Sequence, residues 1–446
     1  MSCLIEPRTA GSIFAEIRGE SVAWGQFLAE AYALAGELPD SRYVINLCED
    51  RYHFCLGWVA SLISGKVTLL PPDRSQRHLQ RIERDYPAAL ILNDRPSVTS
   101  GCRLTVSRPN GVSPIDQERL QIDPDQLAVI GFTSGSTGEP QAHAKNWSAL
   151  CASAGLINQH LGGVIGCSIL ATVPSQHMYG LELGILLPLC CGGVLHWAKP
   201  FFPADIADAL ATAGQARVLV TTPIHLRSLI QSELSLPFVD RVVSATAPLD
   251  ISLARTCEER FQAPLLEIYG CTEAGSIAGR RPALESCWTL FQPLTLAQEQ
   301  GQLHRVMGPY LPTPVVLNDF LEVMDERRFH LVDRSPDLIN IAGKRTSLSA
   351  LNQVLLGIRG IVDGAFFLPD DPDVTGTPRL IAFAVAPDLN GAAILEKLRA
   401  ELDSAFVPRL VHRVDALPRN DTGKLPRERL QDLLDKPGSE GGQPTA

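Results

Sequence analysis

The sequence predicts an α/β protein: a large N-terminal domain of mostly parallel sheets flanked by helices, then a small α+β C-terminal domain. Three observations predict it. Short apolar runs alternate with segments of helical periodicity as far as Tyr269. The runs are near-continuous Val, Ile and Leu, as in strands covered on both faces. Near Asp333-Arg334 the texture changes, and about 100 residues of mixed character follow, the size of one small domain.

The first buried strand reads at Arg42–Cys48 (RYVINLC), a helix at Asp50–Ser64, and the next strand at Val67–Leu70 before Pro71-Pro72. Further strands read at Ala88–Leu92, Ala128–Phe132, Ser168–Val173, Val194–Trp197, Arg217–Val220, Arg241–Ala245 and Leu265–Tyr269, with helical stretches between most of them. This domain is placed at 1–333. The small domain, 334–436, reads as Asp337–Ile341, a helix at Ser349–Leu356, strands at Ala365–Leu368 and Leu380–Val385, and a helix at Ala392–Phe406. Residues 437–446 (PGSEGGQPTA) are Gly/Pro-rich and read as a disordered tail. Parallel sheets bind ligands at the carboxyl ends of their strands, so chemistry is expected in the loops that follow strands.

Of 446 residues, 45% are hydrophobic and 20% charged, which excludes disordered, collagen-like and disulfide-stapled classes. The net charge of −10 argues against nucleic acid as the main partner. No run reaches the ~18–20 apolar residues of a membrane span; the longest candidate, Met178–Cys191, is interrupted by Glu182. No signal peptide is read at the N-terminus. The 11 cysteines have irregular spacing and no C-x-x-C, which suits reduced thiols and a cytoplasmic location.

Four segments carry chemistry. Phe132–Pro140 (FTSGSTGEP) follows an apolar strand and packs hydroxyls and glycines together. Such a run either cradles phosphate through backbone N–H groups or serves as a plain Ser/Gly linker. It is not a Walker A loop, because Gly-Lys occurs only at Gly65, Gly343 and Gly423 and never before Ser or Thr. No G-x-S-x-G occurs, which disfavours a serine hydrolase. Ile268–Glu273 (IYGCTE) offers an aromatic face, a turn glycine, a hydroxyl and a carboxylate suited to Mg2+ beside phosphates, or a capped helix start with a solvated Glu. Asp319 and Asp333-Arg334 form the third segment; a lone surface Asp usually caps. Leu417–Leu430 (LPRNDTGKLPRERL) predicts a turn with Lys424 at its tip, ahead of a terminal helix.

Together these segments resemble the adenylate-forming superfamily of acyl-CoA synthetases, nonribosomal peptide adenylation domains and luciferases, in order from about Ala128 to Leu430. The resemblance implies ATP and Mg2+ as cofactors. It implies that Thr133, Ser134, Gly135, Ser136, Thr137 and Gly138 hold the phosphates, with Ala245, Thr246, Ala247, Tyr269 and Gly270 around adenine. Asp319 would bind the ribose and Arg334 would support the nucleotide. Thr272 would meet the α-phosphate and Glu273 the metal, His177 would stand near the acyl group, and Lys424 would bridge the attacking carboxylate and the α-phosphate. The small domain would turn about Asp333 and bring Gly343 to a pantetheine tunnel. The stretch TSGSTG-x-P-Q-x-H-x-K-x-W is similar to ligases found beside aryl-polyene and xanthomonadin-type pigment genes, which load an acyl carrier protein.

The implied activity is ATP-dependent adenylation of a small carboxylic acid, of hydroxybenzoate type, followed by acyl transfer to a carrier-protein thiol. The alternatives are transfer to CoA and a catalytically degenerate nucleotide-binding protein. The acid pocket is expected between His177–Gly184, Thr221–His225 and Ala245–Ala247, with His177, Thr221, Thr222 and Thr246 as polar features. Arg409, Arg413, Arg419, Arg427 and Arg429 are candidates for an acidic carrier helix, for CoA, or for a solvated face. Departures are Gln141 where the family carries Lys after the loop's proline, Trp147 for a His and Asn352 for a Glu. His143 or Lys145 is expected to reach pyrophosphate in place of the missing Lys.

Overall fold

A computed structural model describes residues 8–72, 74–95, 102–118, 120–134, 140–299, 303–334, 338–341, 344–369, 380–420 and 423–435. The chain divides into two compact units. One comprises Met1–Ala297, Arg305–Val315 and Glu326–Arg328, the other Gln298–His304, Val316–Asp325 and Phe329–Ala446.

The first unit holds two sheets. The smaller is six-stranded, in the order Arg103–Thr105, Leu90–Asn93, Tyr43–Asn46, Val67–Leu70, Leu127–Ser134, Pro140–Asn146. All neighbours are parallel except the last pair, an antiparallel hairpin. In the larger sheet Leu265–Cys271, Arg241–Ser244, Arg217–Thr221, Ser168–Ala171, Val194–His196 and Ile13–Ile17 run parallel in that order. Antiparallel strands flank them, Gly275–Arg280 on one side and Glu20–Ala23 on the other. Leu170, Leu219, Val242 and Leu265 form one row across this sheet and pack with Ile206, Leu226, Leu229 and Leu253 of the covering helices. The α/β class predicted from alternating apolar runs is the observed one.

Local chemistry fixes the ends. Asp50 accepts the N–H groups of Tyr52 and His53 and starts the helix Arg51–Ile63, while Asp250 caps Ile251–Phe261 in the same way. Pro203 and Pro223 open their helices, where a missing N–H costs nothing.

In the second unit, Asp319–Val323 pairs antiparallel with Arg328–Arg334, and Leu338–Ile341 with Lys344–Ser347. A three-stranded sheet of Asp363–Phe367, Ile381–Val385 and Leu410–Arg413 carries the helices Leu348–Gly357 and Gly391–Glu401 over a core of Leu351, Leu355, Phe366, Ile394 and Leu398. The helix expected at Ala392–Phe406 ends at Glu401: Leu402 is extended, and Asp403 caps a separate short turn at Ser404–Phe406. Residues 437–446 lie outside the described residues. Among the described residues no helix is long and apolar enough to cross a membrane.

Candidate active site

The chemistry-bearing segments of the first unit meet at the carboxyl ends of its strands. Thr133 and Ser134 end the strand Leu127–Ser134, in register with Gln141 and Pro140. Gly135, Ser136, Thr137 and Gly138 lie outside the described residues.

The strand Leu265–Cys271 ends in a tight turn, Thr272–Ala274, and returns as Gly275–Arg280. A register shift at Tyr269/Gly270 bends the hairpin. A Cβ on Gly270 would overlap the Gly275 carbonyl, so only glycine permits this crossing. Gly275 sits at φ 81°, and a Cβ there would stand 2.6 Å from Glu182 Oε1. The turn also stacks on the phosphate-loop strand: the Thr272 methyl stands 3.2 Å from where a Gly131 Cβ would be, with Met178 Cε at 3.9 Å.

Glu273 is half-buried. His143 Nε2 lies 3.5 Å from its Oε1, and Lys145 Nζ donates to its backbone carbonyl at 2.6 Å. Burial lowers the pKa of His143, with Glu273 opposing. Burial lowers Lys145 too, opposed first by Glu182. Lys145 is only 9% exposed, so its ammonium serves the Glu273 carbonyl rather than reaching toward pyrophosphate as expected. Glu182 is itself buried and accepts from Ser153 Oγ at 2.5 Å and from Ser276 Oγ at 2.6 Å.

His177 precedes the helix Met178–Leu181, whose Leu181 N–H bonds back to its carbonyl. Gly180 is forced, because a Cβ would overlap the Pro174 carbonyl. The loop hangs from Arg51, a residue the sequence reading missed. Its Nη2 donates to the carbonyls of Ala171 (2.8 Å) and Val173 (2.9 Å), and its Nη1 to Ser175 Oγ (3.2 Å). The available signal was an arginine at the head of an otherwise apolar helix.

Tyr269 is buried and packs on Trp288 with centroids 5.6 Å apart; Arg280 lies over that indole at 4.5 Å. Ala245 is buried, Thr246 adopts φ 80° and Ala247 is exposed. The loop they form is anchored by Glu267, which accepts the Leu249 N–H and pairs with Arg280 at 2.7 Å. Burial raises the Glu267 carboxyl to about 7, with Arg280 opposing.

One expectation about the acid pocket changes. Thr221 pairs in register with Ser244, Thr172 follows the neighbouring strand Ser168–Ala171, and all three are buried. Thr221 receives the Thr172 hydroxyl at 3.0 Å, and His225 Nδ1 lies 2.7 Å from Thr172 Oγ1 and 3.3 Å from Thr222 Oγ1. The Thr221 and Thr222 hydroxyls are therefore engaged inside the protein. Burial lowers His225 to about 4 and keeps it neutral at pH 7. The Tyr179 hydroxyl is likewise held, by the carbonyls of Thr221 and Val243.

In the second unit Asp319 stands opposite Arg334 and Phe320 opposite Asp333. Gly343 lies outside the described residues. Lys424 is exposed on its turn, as its sequence predicts. Its N–H donates to Asn420 Oδ1 at 2.8 Å, its carbonyl accepts from Asn420 N at 2.8 Å, and Gly423 sits at φ 77°. Arg419 clamps the turn: Nε and Nη2 each reach Asp363 at 2.7 Å, and Nη1 reaches the Gly423 carbonyl at 2.7 Å. Arg427 lies over Phe367 and donates to the Leu368 carbonyl. Arg419 is thus an internal fastener; Arg409, Arg413, Arg427 and Arg429 are exposed, Arg427 being tied down at the Leu368 carbonyl. Asn352, where the resembled family carries Glu, accepts the Phe366 N–H and ties helix to sheet.

Comparison with known proteins agrees with this arrangement. The AMP-binding enzyme family matches residues 37–308. A 4-coumarate–CoA ligase of Rhodobacter capsulatus is 29% identical over 298 residues, 66% of this chain and 73% of that protein. A 3,4-dihydroxybenzoate–[aryl-carrier protein] ligase of Bacillus anthracis is 22% identical over 315 residues, 69% and 74% of the two chains. ATP-bound MatB from Rhodopseudomonas palustris shares the fold with a TM-score of 0.78 at 18% identity, covering 96% of each chain. On the match across more than half its length, this chain belongs to the AMP-binding enzyme family and is an adenylate-forming acid–thiol ligase.

Proposed function

We propose that the chain adenylates a small aromatic carboxylic acid with ATP and passes the acyl group to the phosphopantetheine thiol of an acyl carrier protein. The observation that carries this reading is the Thr272–Glu273 turn set against Gly131, two residues before the loop that opens at Thr133. A hydroxyl and a carboxylate stand there beside the strand that leads into that loop.

A carboxylate is a poor acyl donor at neutral pH, and activation gives it AMP as a leaving group. The acid's oxygen attacks the α-phosphorus, the bond to the β-phosphate oxygen breaks, and diphosphate leaves. Little covalent work falls to the protein, so positioning and charge stabilisation carry the step. Thr133–Gly138 orient the β- and γ-phosphates. The Thr272 hydroxyl donates to the α-phosphate, Ala245–Ala247 and Tyr269 border the adenine, and Asp319 and Arg334 hold the ribose side. Lys424 neutralises charge between the acid and the α-phosphate. Bound Mg2+ would supply positive charge to the phosphate oxygens. Glu273 presents a half-buried carboxylate that would hold it, as for a cation bound through one carboxylate and substrate phosphates.

Support for a compact, lightly polar acid comes from the closure of Thr221, Thr222 and Tyr179 on internal partners. The two relatives named above act, by name, on coumarate and dihydroxybenzoate. The exposed Arg409, Arg413 and Arg429 suit an acidic carrier helix. Transfer to CoA is the second reading, favoured by the Rhodobacter relative.

ATP–diphosphate exchange across a panel of benzoates, cinnamates and short aliphatic acids tests the first step. Exchange with an aromatic acid is expected, followed by thioester formation with holo carrier protein. Thioester formed on CoA alone would overturn the acceptor, and silence across the panel would overturn the enzyme reading.

A further inference from the structure

Gln141, His143 and Lys145 alternate along the strand Pro140–Asn146, so all three share one face. That face climbs from the phosphate loop into the interior, and the turn Thr272–Ala274 lies against it. Gln141 is exposed, His143 meets the Glu273 carboxylate at 3.5 Å, and Lys145 meets the Glu273 carbonyl at 2.6 Å. The cation that the resembled family carries just after the loop's proline stands here two rungs deeper.

We propose that Lys145 is a positioning residue for adenylation: its buried ammonium holds the Glu273 carbonyl and so sets where the Thr272 hydroxyl and the Glu273 carboxylate point. This rests on the reading of Thr272 and Glu273 given above. Three features carry it. The hydrogen bond is charge-assisted, short and 9% exposed at its donor, so water does not compete for it. Burying an ammonium is unfavourable unless a defined set of partners repays the lost hydration, and this one is spent on a backbone carbonyl within the candidate site. The other end of the turn is held independently, where Ser276 donates to Glu182 through N–H at 3.2 Å and Oγ at 2.6 Å. Glu182 lies in a π-helical turn just beyond the His177 loop. The strand after the phosphate loop, the Thr272 turn and the His177 helix are thereby joined through two buried side chains.

The test compares Lys145→Met, Lys145→Gln and the double variant Lys145→Met with Gln141→Lys. Amide hydrogen exchange over residues 270–276 of the ligand-free protein is read beside single-turnover adenylation and ATP affinity. Lys145→Met is expected to lose protection there and to slow adenylation about 100-fold, the effect of an ångström-scale misplacement, with ATP affinity changed less than about 3-fold. Lys145→Gln, which keeps a donor, restores most of the protection and at least a tenth of the rate. Unchanged exchange and rate in Lys145→Met overturn the proposal. So does a double variant that regains the rate without the protection, because the lysine would then act on phosphate directly. If wild-type protein activates no acid, the functional reading fails while the exchange data still decide the brace.

Discussion

A Gly131→Ala substitution isolates the contact between the strand Leu127–Ser134 and the Thr272–Glu273 turn. The added Cβ would stand 3.2 Å from Thr272 Cγ2. Relaxed carbon–carbon contact needs about 3.5–4.0 Å, so the turn must yield by roughly 0.5 Å. Where a 1 Å error costs on the order of 100-fold, half of it costs about 10-fold, or ~1.4 kcal/mol of barrier. Stability responds differently. Replacing a strand glycine gains about 0.5–1 kcal/mol and mild overpacking loses about 1–3, leaving a small net change. Quenched-flow measurement of acyl-adenylate, alongside a thermal melt, separates the two. The sharper test is the rescue. Thr272→Ser removes only the methyl that collides and keeps the hydroxyl, so the double variant should recover most of the lost rate, a coupling visible in a double-mutant cycle. A slow Gly131→Ala enzyme that Thr272→Ser leaves slow would refute the reasoning, as would a Gly131→Ala enzyme of wild-type rate.

Arg51→Lys keeps the charge but loses the fork that serves Ala171, Val173 and Ser175; unfolding by urea should show a loss of about 3 kcal/mol. Glu267→Gln should remove a pH dependence. Burial raises this carboxyl from 4.5 to about 7 in the folded chain, so the folded state keeps a proton that the unfolded state releases. Its contribution is fully present below pH 4.5 and is lost as pH rises through 7; the melting temperature of the wild type should fall relative to that of the neutral Gln variant over that window, and parallel curves would contradict the assignment. Lys424→Ala should abolish acyl-adenylate formation yet spare thioester formation from acyl-adenylate supplied preformed. Arg419→Ala, which frees the turn from Asp363 and Gly423, should slow the first step about 10-fold by misplacing Lys424.

The sequence showed the parallel core because its strands are unbroken apolar runs and its loops are punctuated by Gly and Pro. The hairpin strand Pro140–Asn146 and the return strand Gly275–Arg280 were not read. Both are antiparallel additions built from small and polar residues, and their burial depends on neighbours rather than on their own hydrophobicity. The turn at Thr272–Glu273 was legible as a motif, but its glycines were not legible as geometry. Gly131 and Gly275 make room for atoms distant in sequence, namely the Thr272 methyl and the Glu182 carboxylate. Thr221 and Thr222 differ from expectation for a related reason. Hydroxyls near an expected pocket look like ligand contacts until the structure shows them bonded to Thr172 and His225.

Arg51 and Lys145 share a logic that neither segment reveals alone. Where a chain leaves a parallel sheet to form a functional loop, its carbonyls lose their ladder partners yet remain too deep for water. A neutral donor satisfies one such group; a buried cation satisfies one or several and holds them more strongly, because the carbonyl dipoles converge on a full charge. Arg51 does this for the loop before His177 and Lys145 for the turn at Glu273. Burial brings Arg51 down to about 10, so it stays charged at neutral pH; burial lowers Lys145 too, with the Glu182 and Glu273 carboxylates opposing the shift. The loops that carry His177 and Thr272-Glu273 are thus secured by a helix and a strand of the smaller sheet's half of the unit, through Arg51 and Lys145 respectively.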